Sequence, residues 1–141
     1  MKNVNIVCTS KPGDGLLHYS FEHCCFLNDL GINAKLIIVR HHKFTSQDYL
    51  NALNECYKKV ENVIFDYYTP SSNDITLIMG RSMLTLPFLS KSDYTNDQLL
   101  TLHLLFSGNL ISVYSENHVK DYPIALQYFK PKKIIDLCDF D

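Results

Sequence analysis

Tryptophan is absent, arginine occurs only at Arg40 and Arg81, and the formal net charge is −2. A nucleic-acid binder shows a basic footprint, and none is written here. No run approaches the ~20 consecutive apolar residues that a membrane span needs. No secretory leader opens the chain, because Val4 to Cys8 is too short and a Lys-Pro-Gly loop follows it. The five cysteines are odd in number and contain no C-x-x-C pair, which speaks against a disulfide framework. They read as reduced, small core hydrophobes in a cytoplasmic setting. His18 and His23 are five apart, and His41 and His42 are adjacent, so neither histidine pair has the helical i, i+4 spacing and no metal is expected. The G-x-x-x-x-G-K-[ST] loop of phosphoryl-transfer proteins is missing, as is a G-x-S-x-G elbow. No cofactor signature remains.

What is present is an ordinary globular composition, 46% hydrophobic and 20% charged over 141 residues. That length suits a single domain, residues 1–141, with one core. Strand and helix patterns alternate along it. Val4 to Cys8 reads as a buried strand, Lys11 to Gly15 as a tight turn, and the following apolar stretch as a helix to about Leu30, stopped by Gly31. Ala34 to Val39 is a second strand. A helix from about Gln47 to Val60, capped by Thr45 or Ser46, precedes strands over Asn62 to Tyr68 and Asp74 to Met79. Arg81 to Leu89 reads as a helix broken near Pro87. Thr95 caps a helix from Asn96 to Phe106 that Gly108 ends, and Asn109 to Tyr114 is a fifth strand. A helix within His118 to Phe129 and a strand from Lys133 to Leu137 complete the series. The expectation is an α/β three-layer, Rossmann-like sandwich with a mostly parallel sheet of five to six strands. A crossover helix would ordinarily follow the last strand, so Asp139-Phe140-Asp141 suggests a cut end or an edge strand.

Candidate chemistry gathers where strands of such a sheet end. Gly13-Asp14-Gly15 lies between strand one and a helix N-terminus, where backbone can approach a phosphate. The pattern is G-x-G-x-x-H, with His18 where a dinucleotide fold places its third glycine. Strand two runs into Val39-Arg40-His41, without the carboxylate that would hold a ribose, so a plain NAD or FAD site is excluded. Asp14 would repel phosphate unless its carboxylate turns away or caps the helix. His18, in the first helical turn, is a candidate general base. Arg81, with Ser82, ends strand four and suits a phosphate or carboxylate. Ser115, Glu116 and His118 end strand five, although Ser115 also reads as a helix cap. Helix one is apolar nearly all round, which implies cover on its outer side by a second domain or subunit.

The opening strand, the Lys11–Gly15 loop, the long helix and the run Gly31-Ile32-Asn33-Ala34-Lys35-Leu36-Ile37-Ile38 resemble the N-terminal half of a GT-B glycosyltransferase. Asn109 to Glu116 is similar to the later strand feeding that family's interdomain cleft. The resemblance implies an acceptor-side domain, the N-terminal half of a two-domain enzyme, facing a nucleotide-sugar donor and an acceptor of unknown identity. It places Gly13, Asp14 and Gly15 near donor phosphate, and lines the cleft with His18, Arg81, Ser82, Ser115, Glu116 and His118. Glu116 or His18 would deprotonate the acceptor. The alternative from another class is a non-catalytic α/β module that binds a nucleotide or a partner protein. A flavodoxin-like domain fits less well, because the first loop lacks a run of hydroxyl residues.

Overall fold

A computed structural model of the chain describes residues 3–54, 59–79, 94–114 and 133–136. The elements run β1 (Val4–Cys8), α1 (Gly15–Asp29), β2 (Ala34–Ile38), α2 (Ser46–Leu53), β3 (Val63–Phe65), β4 (Ile75–Met79), α3 (Asn96–Phe106), β5 (Asn109–Tyr114) and β6 (Lys133–Asp136). The six strands form one sheet in the order β3-β2-β1-β4-β5-β6. Every neighbouring pair is parallel. The α/β, Rossmann-like sandwich expected from the alternating pattern is the fold observed.

Parallel pairing demands crossovers, and the crossovers cover both faces. Alternation along each strand sends Ile6, Cys8, Leu36, Ile38, Leu77 and Met79 to one side, against Leu17, Phe21 and Cys24 of α1 and Tyr49 and Leu53 of α2. Val7, Ile37 and Ile78 go to the other, against Leu102, Leu105 and Phe106 of α3. Side chains of this size stabilise by about 1.5–3 kcal/mol each when fully buried, so the two layers dominate the fold's energy.

Local chemistry sets the helix ends. Thr45 and Asp48 form a reciprocal capping box at α2, and Thr95 and Gln98 form another at α3. Gly31, at φ +83°, ends α1. Its N–H donates to Asn28 O, and Ile32 N–H donates to Leu27 O, each at 3.0 Å, the paired bonds of a Schellman stop. The Asn28 side chain then clasps both backbone groups of Ala34, starting β2.

Two expectations needed correction. The third strand is only Val63–Phe65, because Asn62 and Asp66, flanking it, have φ of +59° and +68°. Left-handed backbone at non-glycine residues cannot continue a ladder. The second helix stops at Leu53, and Lys59 and Val60 are not helical. The helices expected within Arg81 to Leu89 and His118 to Phe129 lie outside the described residues.

The link from β3 to β4 carries no helix. It returns as irregular chain from Asp66 to Asp74, with Tyr68 packed on the α3-side core. Asp74 anchors its far end. Its buried carboxylate accepts from Asn5 Nδ2 at 3.1 Å, Ser71 N at 3.1 Å, Ser71 Oγ at 2.7 Å and Tyr68 Oη at 3.4 Å.

Candidate functional site at the carboxyl ends of the strands

The sheet order places a topological switch between β1 and β4. The helix after β1 packs on one face, and the helix between β4 and β5 packs on the other. Open α/β sheets bind ligands in the crevice outside such a switch. The Thr9–Asp14 loop lies at that place. Gly13 adopts φ +88°, which glycine alone takes without strain, and a Cβ there would meet nothing within 4 Å. Asp14 is the cap residue of α1, yet its side chain makes no cap bond. Its carboxylate instead turns back to accept Lys11 N–H at 3.1 Å, while Asp14 N–H donates to Lys11 O at 3.2 Å. The loop closes on itself, and Asp14 leaves the first-turn amides of α1 uncapped by its side chain. Gly15 opens the helix, and His18 sits half-buried in its first turn.

A second segment, Arg40–Lys43, leaves β2 beside that loop. The two are tied by one phenol. Tyr49 is fully buried, its hydroxyl donates to Ser10 O at 3.0 Å, and it accepts His41 N–H at 3.3 Å. Burial pushes the Tyr49 phenol well up from its ordinary value, so it remains a protonated donor at any physiological pH. Cys8 Sγ lies 2.8 Å from Ser10 Oγ, and burial raises this thiol also, leaving it a poor nucleophile.

Arg40 is held by Asp66 from the end of β3. The carboxylate Oδ1 accepts Arg40 N–H at 3.0 Å and Gln98 Nε2 at 2.8 Å. Oδ2 accepts Arg40 Nε at 2.8 Å and pairs with Nη2 at 2.7 Å. Arg40 Nη1 donates to Phe44 O at 2.8 Å, and Gln98 Nε2 reaches Arg40 O at 3.1 Å. Tyr67 N–H donates to Phe65 O at 2.7 Å, closing a γ-turn about Asp66 in its left-handed, strained form. Four donors on one carboxylate keep that turn in place. Around it, the His41 ring lies 4.5 Å from His42 and 6.1 Å from both Phe44 and Tyr94, measured between ring centres.

Sequence reasoning located Gly13, Asp14, Gly15 and His18 at this edge, and the structure brings them together there. It missed the Arg40–Asp66–Gln98 network, whose members stand 26 and 32 residues from Asp66. The only written signal was an aspartate interrupting an apolar strand pattern. Arg81, Ser82, Ser115, Glu116 and His118 lie outside the described residues. Among the described residues no cluster of three or more His, Cys, Asp or Glu suits a metal, and no helix is long and apolar enough to cross a membrane.

Two depressions lie away from this edge. One of about 230 Å³ is lined by Cys24, Cys25, Asn28, Asp29, Lys59, Glu61 and Asn62, at the opposite end of α1. Burial pushes the Cys24 thiol up to about 11, so no reactive thiolate arises from it. The other, about 340 Å³, runs along the outer face of α1 past Tyr19, Glu22, His23 and Phe26.

Comparison with family models, curated proteins and solved structures returned no match.

Proposed function

We propose that this chain is the acceptor-side domain of a GT-B-like sugar-transfer enzyme working in the cytoplasm. Its crevice at the β1–β4 switch meets the diphosphate of a nucleotide-sugar donor held chiefly by a second domain or subunit. The observation that carries the reading is the first loop: Gly13 is left-handed, and the Asp14 carboxylate is turned to Lys11 rather than to the helix. An anion there meets backbone donors and the positive end of α1 without meeting a capping side chain. His18, one turn in, is the described candidate for the acceptor base, and Glu116 is the other. Arg81, Ser82, Ser115 and His118 would complete the cleft.

The test is a calorimetric titration of the chain with UDP, GDP, CDP and ADP, each against its nucleoside. Saturable binding that requires the diphosphate supports the reading, and no heat from any of them sinks it. The domain alone should transfer little or no sugar.

The other reading, a module that binds a partner protein, draws on the outer faces of the helices. Tyr19 and Phe26 of α1, Leu30 at its C-cap and Leu100 of α3 are exposed by 44, 58, 61 and 56% respectively. Tyr19, His23, Phe26 and Leu30 follow helical spacing along one stripe, opposite Leu17, Phe21 and Cys24. A donor-binding domain packed on α1 would cover the same stripe, so it serves either reading.

A further inference from the structure

At the rim made by the ends of β1 and β2 the Asp66 carboxylate is saturated, while Arg40 keeps donors without a partner among the described residues. In dinucleotide folds a carboxylate near this position accepts ribose hydroxyls. Here Asp66 supplies a carboxylate from β3, but Arg40 N, Arg40 Nε, Arg40 Nη2 and Gln98 Nε2 occupy it, two donors on each oxygen. A carboxylate offers about four lone-pair sites, so a sugar diol finds no acceptor left there. The neighbouring carboxylates are also engaged: Asp14 Oδ2 accepts Lys11 N–H, and Asp48 Oδ2 accepts Thr45 N–H at 2.8 Å. Arg40, in contrast, has five N–H bonds. Among the described residues three have partners: Nε and one on Nη2 with Asp66, and one on Nη1 with Phe44 O. The side chain remains 28% exposed, and the cations Lys11 and Lys43 stand exposed on the same two loops.

We propose that Arg40 is an oxyanion subsite, and that the ligand reaching the β2 side of the crevice carries a phosphate or carboxylate group. The two N–H bonds without a partner among the described residues, one on Nη1 and one on Nη2 of a planar cation, suit anionic oxygens. Asp66, Gln98 and the Phe44 carbonyl are positioning groups, fixing the guanidinium before the ligand arrives. The inference rests on reading this strand edge as the ligand crevice, and it assigns the acceptor, rather than the nucleotide, an anionic handle.

The experiment follows the Arg40 Nε–H signal by nitrogen-proton correlation NMR in the full chain. With only two arginines in the sequence, Arg40→Lys assigns it by its disappearance. Titration with inorganic phosphate and with acetate should move the signal saturably, the stronger response naming the anion class, while glucose leaves it in place. Phosphate or acetate affinity, read by calorimetry, should fall roughly ten-fold or more in Arg40→Gln, the loss of a charge-assisted hydrogen bond. Arg40→Lys, which keeps a cation beside Asp66, should recover only part of it. A signal that ignores both anions, or follows glucose equally, overturns the subsite; should Arg40→Lys fail to fold, Arg81→Lys assigns the signal as the one that remains. UDP binding by a chain whose Arg40 signal ignores both phosphate and acetate overturns the subsite and leaves the nucleotide reading standing. An Arg40 response without UDP binding does the reverse.

Discussion

The hydroxyl of Tyr49 donates to the carbonyl oxygen of Ser10 across 3.0 Å, 39 residues away in the chain. Through it a helix that packs on one face of the sheet fixes the loop that leaves its central strand. Tyr49→Phe keeps the ring but leaves Ser10 O and His41 N–H without this partner. Unfolding in urea should show a loss of about 1–2 kcal/mol, the cost of unsatisfied buried backbone groups. Nucleotide affinity should fall as well, because both loops of the crevice lose their common anchor.

Gly13 and Gly15 separate strain from access. Gly13→Ala should destabilise by about 1 kcal/mol through backbone conformation alone, since no atom obstructs the added methyl. Gly15 has no left-handed φ and equal space around it. Gly15→Ala should therefore leave stability unchanged or improve it by up to about 1 kcal/mol. If a diphosphate rests on this turn, the same methyl weakens binding. Unchanged UDP affinity in a stable Gly15→Ala protein would count against the proposed crevice.

Asp66 makes an unusual ordering of variants testable. Asp66→Ala removes the carboxylate and keeps a side chain at φ +68°. It should cost roughly 2–4 kcal/mol by stranding a half-buried guanidinium. Asp66→Gly loses the same bonds but relieves about 1 kcal/mol of backbone strain. Chemical denaturation should thus rank glycine above alanine, and the opposite order would show that the turn stores no strain.

Acid should loosen the amino-terminal ends of the interior strands β1 and β4. Burial alone would raise the Asp74 carboxyl, but bonds from Ser71, Asn5 and Tyr68 outweigh it and hold the group below its ordinary 3.8. A carboxylate depressed on folding adds stability above the unfolded value and loses it as pH falls through the folded one. Stability should therefore decline as pH drops below 3.8, and Asp74→Asn should flatten that part of the curve. A denaturation series across this range, wild type against variant, measures the difference.

The outer stripe of α1 gives the last prediction. Phe26→Lys and Leu30→Lys should change monomer stability by no more than about 0.5 kcal/mol, because neither side chain is in the core. A larger loss in urea would show that the stripe already packs on this chain.

Local patterns carried the reading of the fold as far as local forces act. The buried run Val4 to Cys8, the stop at Gly31 and the cap at Thr95 are each decided within a few residues, and β1, α1 and α3 follow them closely. The strand from Asn62 to Tyr68 was read too long because the apolar pattern continues through Phe65 while backbone sign does not. Asp66 turns left-handed to satisfy Arg40 and Gln98, partners that no short window contains. For the same reason the glycine turn after β1 was legible in the sequence and the Arg40–Asp66–Gln98 network was not. Burial of Tyr49 follows from helical spacing, whereas the two loops its hydroxyl joins are known only in three dimensions.

The outermost strand β3 contributes three residues, bracketed by Asn62 and Asp66 in left-handed backbone. A stranger chain seeking to extend the sheet finds a foothold too brief to zip along, with a bend at each end. The tight corner that holds Arg40 also leaves this edge little backbone for a neighbouring molecule to pair with.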